Sequence, residues 1–319
     1  MKYLFKYNVY TLILSFPYVL IASDEMKINI IDQIKLHHAR IEKDLKHFKG
    51  SIDERIITQQ KNTDPQKKDT EIMTHRRIDY FLNGDLMKFD ICMIPDNDAR
   101  SFIVFNTKYG FAADQEPKSK LYLSSYQKDL SKENKLNERL NYYLSTICAG
   151  EYILDFKLTE LLSNSIYDVT EVKEINYNNY TYMRIDLKRK SNIGVRSAWA
   201  ILNYKHEWEV VESGYETDFG PQTCKIEYQD DIKDVPFPKQ ITRVLVSKKG
   251  NEIFRREYKF TKPEKCNASE KEFTMSAFGL PEIGSRGSTG SRMWLWLSII
   301  GILCFVIAVF IRIRYQAAQ

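Results

Sequence analysis

Tyr180-Thr181-Tyr182-Met183-Arg184-Ile185-Asp186-Leu187-Lys188-Arg189-Lys190 decides the fold class. Met183, Ile185 and Leu187 alternate with Arg184, Asp186 and Lys188, so one set of side chains can face a core while the other faces water. That is the pattern of an antiparallel strand with one wet face. Asn178-Asn179 precedes the segment, and residues 166–177 supply a partner strand across that turn. Similar segments occupy residues 196–204, 207–216, 224–229, 239–247 and 252–260, with Lys249-Gly250 as the turn inside the last hairpin. Upstream, residues 71–82 and 85–94 flank Asn83-Gly84, a dipeptide that tolerates the positive φ of a type I′ hairpin turn. Further strands are predicted at residues 101–107 and 120–127, giving about nine to eleven in all. Strands and helices do not alternate as they would in a parallel sheet.

Two stretches change period from two to about 3.6. Ile31, Ile34, Ile41, Leu45 and Phe48, with His38 in the missing place, mark an amphipathic helix over residues 25–49. Leu136, Leu140, Tyr143, Leu144 and Ile147 mark a second over residues 131–149, and a short helix follows near residues 158–163. Curling a large antiparallel sheet around these helices would bury both apolar sets, an α+β architecture.

Composition limits the function. The chain has 319 residues, with 47 Lys plus Arg against 42 Asp plus Glu. Five of the basic residues, Lys2, Lys6, Arg292, Arg312 and Arg314, lie at the two hydrophobic ends, which leaves the middle neutral. A neutral body without a basic stripe argues against nucleic-acid binding, whose affinity comes mostly from phosphate neutralisation. With 43% hydrophobic and 13% aromatic residues the chain can build a core and is not a disordered one.

The ends predict topology. Residues 1–23 combine Lys2 and Lys6, a short apolar stretch and the small residues Ala22 and Ser23, as a secretory signal does. An uncleaved anchor is the alternative. Residues 293–311 are 19 residues without a charge. As a helix they would measure about 28 Å, close to the thickness of a bilayer's hydrocarbon core. A single transmembrane helix is therefore expected, with residues 24–283 as the exported domain, 284–292 as a Gly/Ser-rich flexible linker and 312–319 as a short cytoplasmic tail. A buried helix of a soluble fold is the alternative reading. Localisation follows: a single-pass membrane protein with its N-terminal domain on the periplasmic or extracellular side.

Cys304 lies in the predicted span, leaving Cys92, Cys148, Cys224 and Cys266 outside it. Four cysteines in an exported domain allow two disulfides in three connectivities. Cys224 with Cys266 and Cys92 with Cys148 is the preferred set, and four reduced thiols the alternative.

The order of elements, with Trp199-Ala200-Ile201-Leu202-Asn203-Tyr204 followed closely by Trp208-Glu209-Val210-Val211, resembles the LolA/LolB-like lipoprotein carriers of the bacterial envelope. The resemblance covers roughly residues 24–260. Residues 272–281, Glu-Phe-Thr-Met-Ser-Ala-Phe-Gly-Leu-Pro, look like a closing segment of bacterial envelope proteins, some with a similar C-terminal anchor. It implies a half-barrel in which a curved sheet encloses helices and holds acyl chains in the concavity. A fixed anchor, and the lack of a lipobox cysteine after the leader, depart from a carrier that diffuses between membranes; local presentation or sensing fits better than transport.

If a cavity exists, Met183, Ile185, Leu187, Trp199, Ile201, Phe254 and Tyr258 are expected to face it from strands, with Leu140 and Leu144 closing it from a helix. An ordinary filled core would use the same residues. The expected function is non-enzymatic binding or sensing of a lipid acyl chain or other apolar ligand; the alternative is an interaction module for an envelope protein. Arg255-Arg256 and Lys188-Arg189-Lys190 could touch anionic headgroups, although solvated strand faces explain such runs more often. No cofactor is implied. His38 and Glu42 share i, i+4 spacing but no third ligand is suggested, so no metal site is expected. Neither a Gly-x-Ser-x-Gly elbow nor a phosphate loop or dinucleotide fingerprint is present. Asn179-Tyr180-Thr181 and Asn267-Ala268-Ser269 match the glycosylation triplet, which has meaning only in a eukaryotic secretory pathway.

Overall fold

The structure, a computed structural model, describes residues 24–60, 70–95, 99–129, 135–153, 156–163, 167–190, 197–230, 235–283 and 298–300. The chain divides into two compact units, Met1–Phe273 and Thr274–Gln319. The first unit opens with helix α1 (Asp24–Leu45), followed by strands β1 (Phe48–Gln60), β2 (Thr70–Asn83), β3 (Leu86–Ile94), β4 (Arg100–Phe105), β5 (Gly110–Gln115) and β6 (Tyr122–Gln127). Helix α2 (Lys135–Ile147) leads through a 3-10 turn, Ala149–Glu151, to a small hairpin, β7 (Tyr152–Ile153) with β8 (Phe156–Lys157), and to α3 (Leu158–Ser163). Then come β9 (Tyr167–Tyr177), β10 (Tyr180–Arg189), β11 (Ser197–Asn203), β12 (Glu209–Glu216), β13 (Pro221–Tyr228), β14 (Pro238–Val246), β15 (Glu252–Phe260) and β16 (Glu264–Lys265). In the second unit the described residues form a 3-10 turn, Met275–Phe278, ended by Gly279 in the left-handed region.

Two antiparallel meanders make one sheet. Its order is β6-β5-β4-β3-β2-β1-β15-β14-β13-β12-β11-β10-β9, with β16 also pairing β1. The meanders meet where β1 pairs with β15, Ile52 opposite Phe260 and Thr58 opposite Phe254. Register shifts at Ala112/Ala113, Asp186/Leu187, Ile201/Leu202, Glu227/Tyr228 and Leu245/Val246 bend the strands, because a bulge adds local twist and turns a flat sheet into a trough. Both helices lie against one face. Ile34, His38, Ile41 and Leu45 of α1 are buried there, and Ile34 shares a core with Ile78 of β2, Ile185 of β10, Ile241 of β14 and Ile147 of α2.

The sheet path holds thirteen strands, more than the nine to eleven expected. The additions are β1 and β5, and each hides its period. In β1 the buried alternation Ile52, Glu54 carries an acid on the core side. In β5 Gly110, Phe111, Ala112 and Ala113 are all buried, since the outer face is covered too: Asn106 donates from Nδ2 to the Phe273 carbonyl at 2.9 Å. α1 also ends earlier than expected, so Phe48 is a strand residue, and Ile30 rather than Ile31 is buried on its stripe.

The turns sharpen the register. Asn83 pairs with Leu86, so the loop residues are Gly84 and Asp85 rather than Asn83 and Gly84. Gly84 alone of these has positive φ, 65°, which is a type II′ turn, not the expected I′. Asn83 instead donates to the Ala268 carbonyl at 2.8 Å. Asn178 and Asn179, with φ of 50° and 66°, form a I′ turn. Gly220 has φ of 144°, and a Cβ there would lie 2.0 Å from the Val246 carbonyl oxygen. Gly220→Ala is expected to lose about 1–3 kcal/mol, read as a lowered urea midpoint with an unchanged slope.

Neither preferred disulfide is made: Cys92, Cys148, Cys224 and Cys266 are all thiols. Cys266 follows β16, which pairs β1, whereas Cys224 lies on β13, three strands from β1. Because β16 lies on the β15 side of β1, it is two strand positions from β13, and at ~4.8 Å per strand that is about 10 Å, beyond the ~7 Å that a disulfide can bridge. Cys92 follows Ile91, whose side chain faces the core with Phe89, so the pleat turns Cys92 to the opposite face from Cys148. Residues 1–23, 284–292 and 312–319, and all of 293–311 except 298–300, fall outside the described residues. Among those described, no helix is long and apolar enough to cross a membrane.

Candidate functional site

The nine residues expected to line a cavity are dispersed. Ile185 and Leu187 are fully buried in the core, and Leu140 packs against it from α2. Met183 borders a hollow of about 420 Å³ between the first turns of α1 and strands β9 and β10, with Met26, Ile30 and Val172. Leu144 borders a small cavity of about 40 Å³. Trp199 and Ile201 must be corrected. Register pairs Ile185 with Ala200 and Asp186 with Trp199, so Ala198 and Ala200 face the core and Trp199 faces away, under the Arg184 guanidinium at 5.1 Å. Ile201, opposite Arg184, shares that outer side and is absent from the main core. Phe254 lies beneath the Arg256 guanidinium at 4.9 Å, and Tyr258 is fully buried beside it.

A cavity of about 650 Å³ lies elsewhere, between α2 and strands β2 to β5 with β15. None of the nine residues lines it. Ile91 and Met93 of β3, Ile103 of β4 and Tyr142 and Tyr143 of α2 give apolar walls. Leu136 and Tyr143 are buried on the underside of α2, and the Tyr143 ring stacks on Phe89 at 5.1 Å, which fixes the helix over this end of the trough. Asp114 lies in the wall, held by the Ser101 hydroxyl, and Glu116, Glu138 and Arg139 are exposed at its mouth.

A charged cluster forms the floor. Glu54 of β1 is 0% exposed. Its Oε2 accepts from Arg76 Nε at 2.7 Å, and its Oε1 accepts from the Tyr142 hydroxyl at 2.8 Å. Arg256 Nε lies 3.6 Å from Oε1, and Arg256 Nη1 donates to Tyr142. The Tyr142 and Tyr258 hydroxyls are 2.8 Å apart, and Arg243 of β14 lies over the Tyr258 ring. Burial pulls the Arg76 guanidinium down, but the Glu54 carboxylate with the Tyr143 and Tyr142 phenols together hold the group above its ordinary range. Burial and the neighbouring Tyr258 and Glu54 push the Tyr142 phenol far up, so it stays protonated. The sequence offered Arg255-Arg256 as a contact for anionic headgroups but favoured a solvated strand face for the pair, and it did not single out Glu54, Arg76 or Tyr142. The signal existed: Phe254 and Tyr258 point inward, so Arg256 between them must do so as well. Arg255, by contrast, pairs with Glu252 at 2.7 Å on the other side.

His38 is fully buried and bonds through Nε2 to the Trp208 carbonyl at 3.1 Å. Burial lowers it to about 4, so it is a neutral core residue. Among the described residues no group of His, Cys, Asp or Glu is placed to hold a metal.

A large antiparallel sheet with helices packed on one face is an α+β architecture of half-barrel type. Solved structures with similar coordinates include a protein described as an outer membrane lipoprotein-sorting domain from Vibrio parahaemolyticus, with TM-score 0.45, 10% identity and coverage of 78% of this chain and 97% of that one. A DUF1329 family protein from Desulfovibrio piger matches with TM-score 0.44 and 9% identity over 78% and 98% of the two chains. A LolA superfamily protein from Nitrosomonas europaea matches with TM-score 0.41 and 12% identity over 77% and 98%. No family profile and no curated protein matches the sequence.

Proposed function

We propose that the protein is a non-enzymatic binding domain, exported and held at a membrane by residues 293–311, that takes up a lipid acyl chain or another apolar ligand. The observation that carries this reading is the cavity of about 650 Å³ under α2, a volume within the usual range for ligand pockets. Ile91, Met93, Ile103 and the Tyr142 and Tyr143 rings give it apolar walls, Arg76 and Arg256 lie at its floor and other charged side chains at its mouth, so one end of a ligand can be fixed by polar contacts while the rest is buried. The solved structures whose printed names include lipoprotein sorting and the LolA superfamily fit the same reading.

Lipid extraction tests it. Mass spectrometry of organic extracts from the purified full-length chain is expected to find a co-purifying amphiphile at about one per chain. Met93→Trp with Ile103→Trp, which fills the cavity, is expected to lose it. A second reading, a protein-interaction module, is favoured by β9, an 11-residue strand that ends the sheet among the described residues, and by exposed apolar residues of α1 such as Leu36, 73% exposed. Recovery of a stoichiometric protein partner with no lipid would transfer support to it.

A further inference from the structure

The cavity floor holds two guanidinium groups for one carboxylate. Glu54 accepts from Arg76 through Nε, with Nη2 at 2.6 Å, so this pair neutralises itself. Among the described residues, Arg256 has no carboxylate at hydrogen-bond distance. Its nearest is Glu54 at 3.6 Å, and its Nε is buried with no hydrogen-bond partner. Its Nη1 reaches only the hydroxyls of Tyr142 and Tyr258. A guanidinium carries five N–H donors in a rigid fork, and both arginines border the cavity. The Tyr142 and Phe254 rings lie 5.3 and 4.9 Å from the Arg256 guanidinium and hold it at the floor. Acidic groups are placed elsewhere: Asp114 is bound to Ser101, and Glu116 and Glu138 lie at the exposed mouth. The other cations of the lining have acids near them, Arg100 donating to Asp90 at 2.9 Å and Arg139 sharing the mouth with Glu116 and Glu138, so the unmatched positive charge lies at the floor and favours an anion there.

We propose that the ligand is an amphiphile with one anionic head, a carboxylate or phosphate, seated against Arg256 and Arg76, with its tail along Ile91, Met93 and Ile103. The fork geometry suits the planar or tetrahedral oxygens of such heads, which accept two parallel N–H bonds. Apolar walls around a partly desolvated cation strengthen that contact, since the interaction grows as the local dielectric falls. This assignment rests on the lipid-binding reading above and adds the chemistry of the head.

The test uses the full-length chain in nanodiscs of zwitterionic phosphatidylcholine and two photoreactive probes of equal chain length, a fatty acid and the matching fatty alcohol. Labelled positions are mapped by mass spectrometry. The acid is expected to label the β3–β4 wall about tenfold more than the alcohol, the ratio a hydrogen bond to a charged group supplies. In Glu54→Gln/Arg256→Gln, which removes one buried charge of each sign, the ratio is expected to fall towards one, with the near-ultraviolet circular dichroism confirming a native fold. Should that variant misfold, the acid-to-alcohol ratio in the unaltered chain still decides the matter. Equal labelling by acid and alcohol there would overturn the anionic head and leave lipid binding standing. Labelling of the wall by neither probe would sink the lipid reading itself. Inorganic phosphate that blocked the acid probe would assign the floor to a free anion and likewise overturn the proposal.

Discussion

Glu54→Ala is expected to cost about 3 kcal/mol of unfolding free energy, the lower end of what breaking a buried ion pair costs. The carboxylate is wholly buried and receives Arg76 and Tyr142 directly, with Arg256 close by. Removing it leaves two partly buried cations without their anion and the Tyr142 hydroxyl without its acceptor. The arginine side chains retain 22% and 21% exposure, so water relieves part of the penalty. Urea unfolding of the variant checks the value. Glu54→Gln/Arg256→Gln is expected to lose less than Glu54→Ala, because it deletes the charge and its excess partner together. If Glu54→Ala unfolds at the same urea concentration as the parent chain, the cluster is not a structural element.

The second large effect depends on pH. Glu151, in the turn after α2, is 1% exposed, and neither carboxylate oxygen has a hydrogen-bond partner. Burial, with the nearby Glu42 carboxylate adding to it, raises the group from 4.5 to about 8, against the opposing pull of Lys157 and Lys46. The folded chain thus binds this proton more tightly than the unfolded one. Below pH 4.5 both states are protonated and the group costs nothing. As pH rises from 4.5 to about 8 the unfolded state ionises first, and stability falls by about 1.4 kcal/mol per unit. Above about 8 the loss levels off at roughly 4–5 kcal/mol. Glu151→Gln keeps the shape without the titration. Its urea midpoint is expected to exceed the parent's at pH 8.5 and to converge with it near pH 5. Parallel pH profiles for the two chains would show that Glu151 ionises in the fold at no cost.

The sequence alone determined much of the local structure. Alternation along Tyr180-Thr181-Tyr182-Met183-Arg184-Ile185-Asp186-Leu187 gave the inward face of β10 correctly, and turn residues such as Asn178-Asn179 set neighbouring strands antiparallel. The period of 3.6 found α1 and α2. Reading failed where a strand broke the polar-out rule. Trp199 and Ile201 are large and apolar yet face outward, where Arg184 covers the Trp199 ring. Glu54, Arg76 and Arg256 are charged yet face inward. In each case parity with neighbours, not residue type, decides the face: Ala198 and Ala200 bracket Trp199, and Phe254 and Tyr258 bracket Arg256.

Only the tertiary structure decided which strands share an edge across the chain. Periodicity reports the two faces of a single strand and is silent about its neighbour. The pairing of β1 with β15 places Glu54 opposite Tyr258 and Ile56 opposite Arg256, while β2 brings Arg76 opposite Glu54. Residues about 200 positions apart thereby meet on one floor, under a helix that contributes Tyr142. No local signal encodes that meeting, because closing so long a loop is repaid by the packed core as a whole and not by the residues that come together.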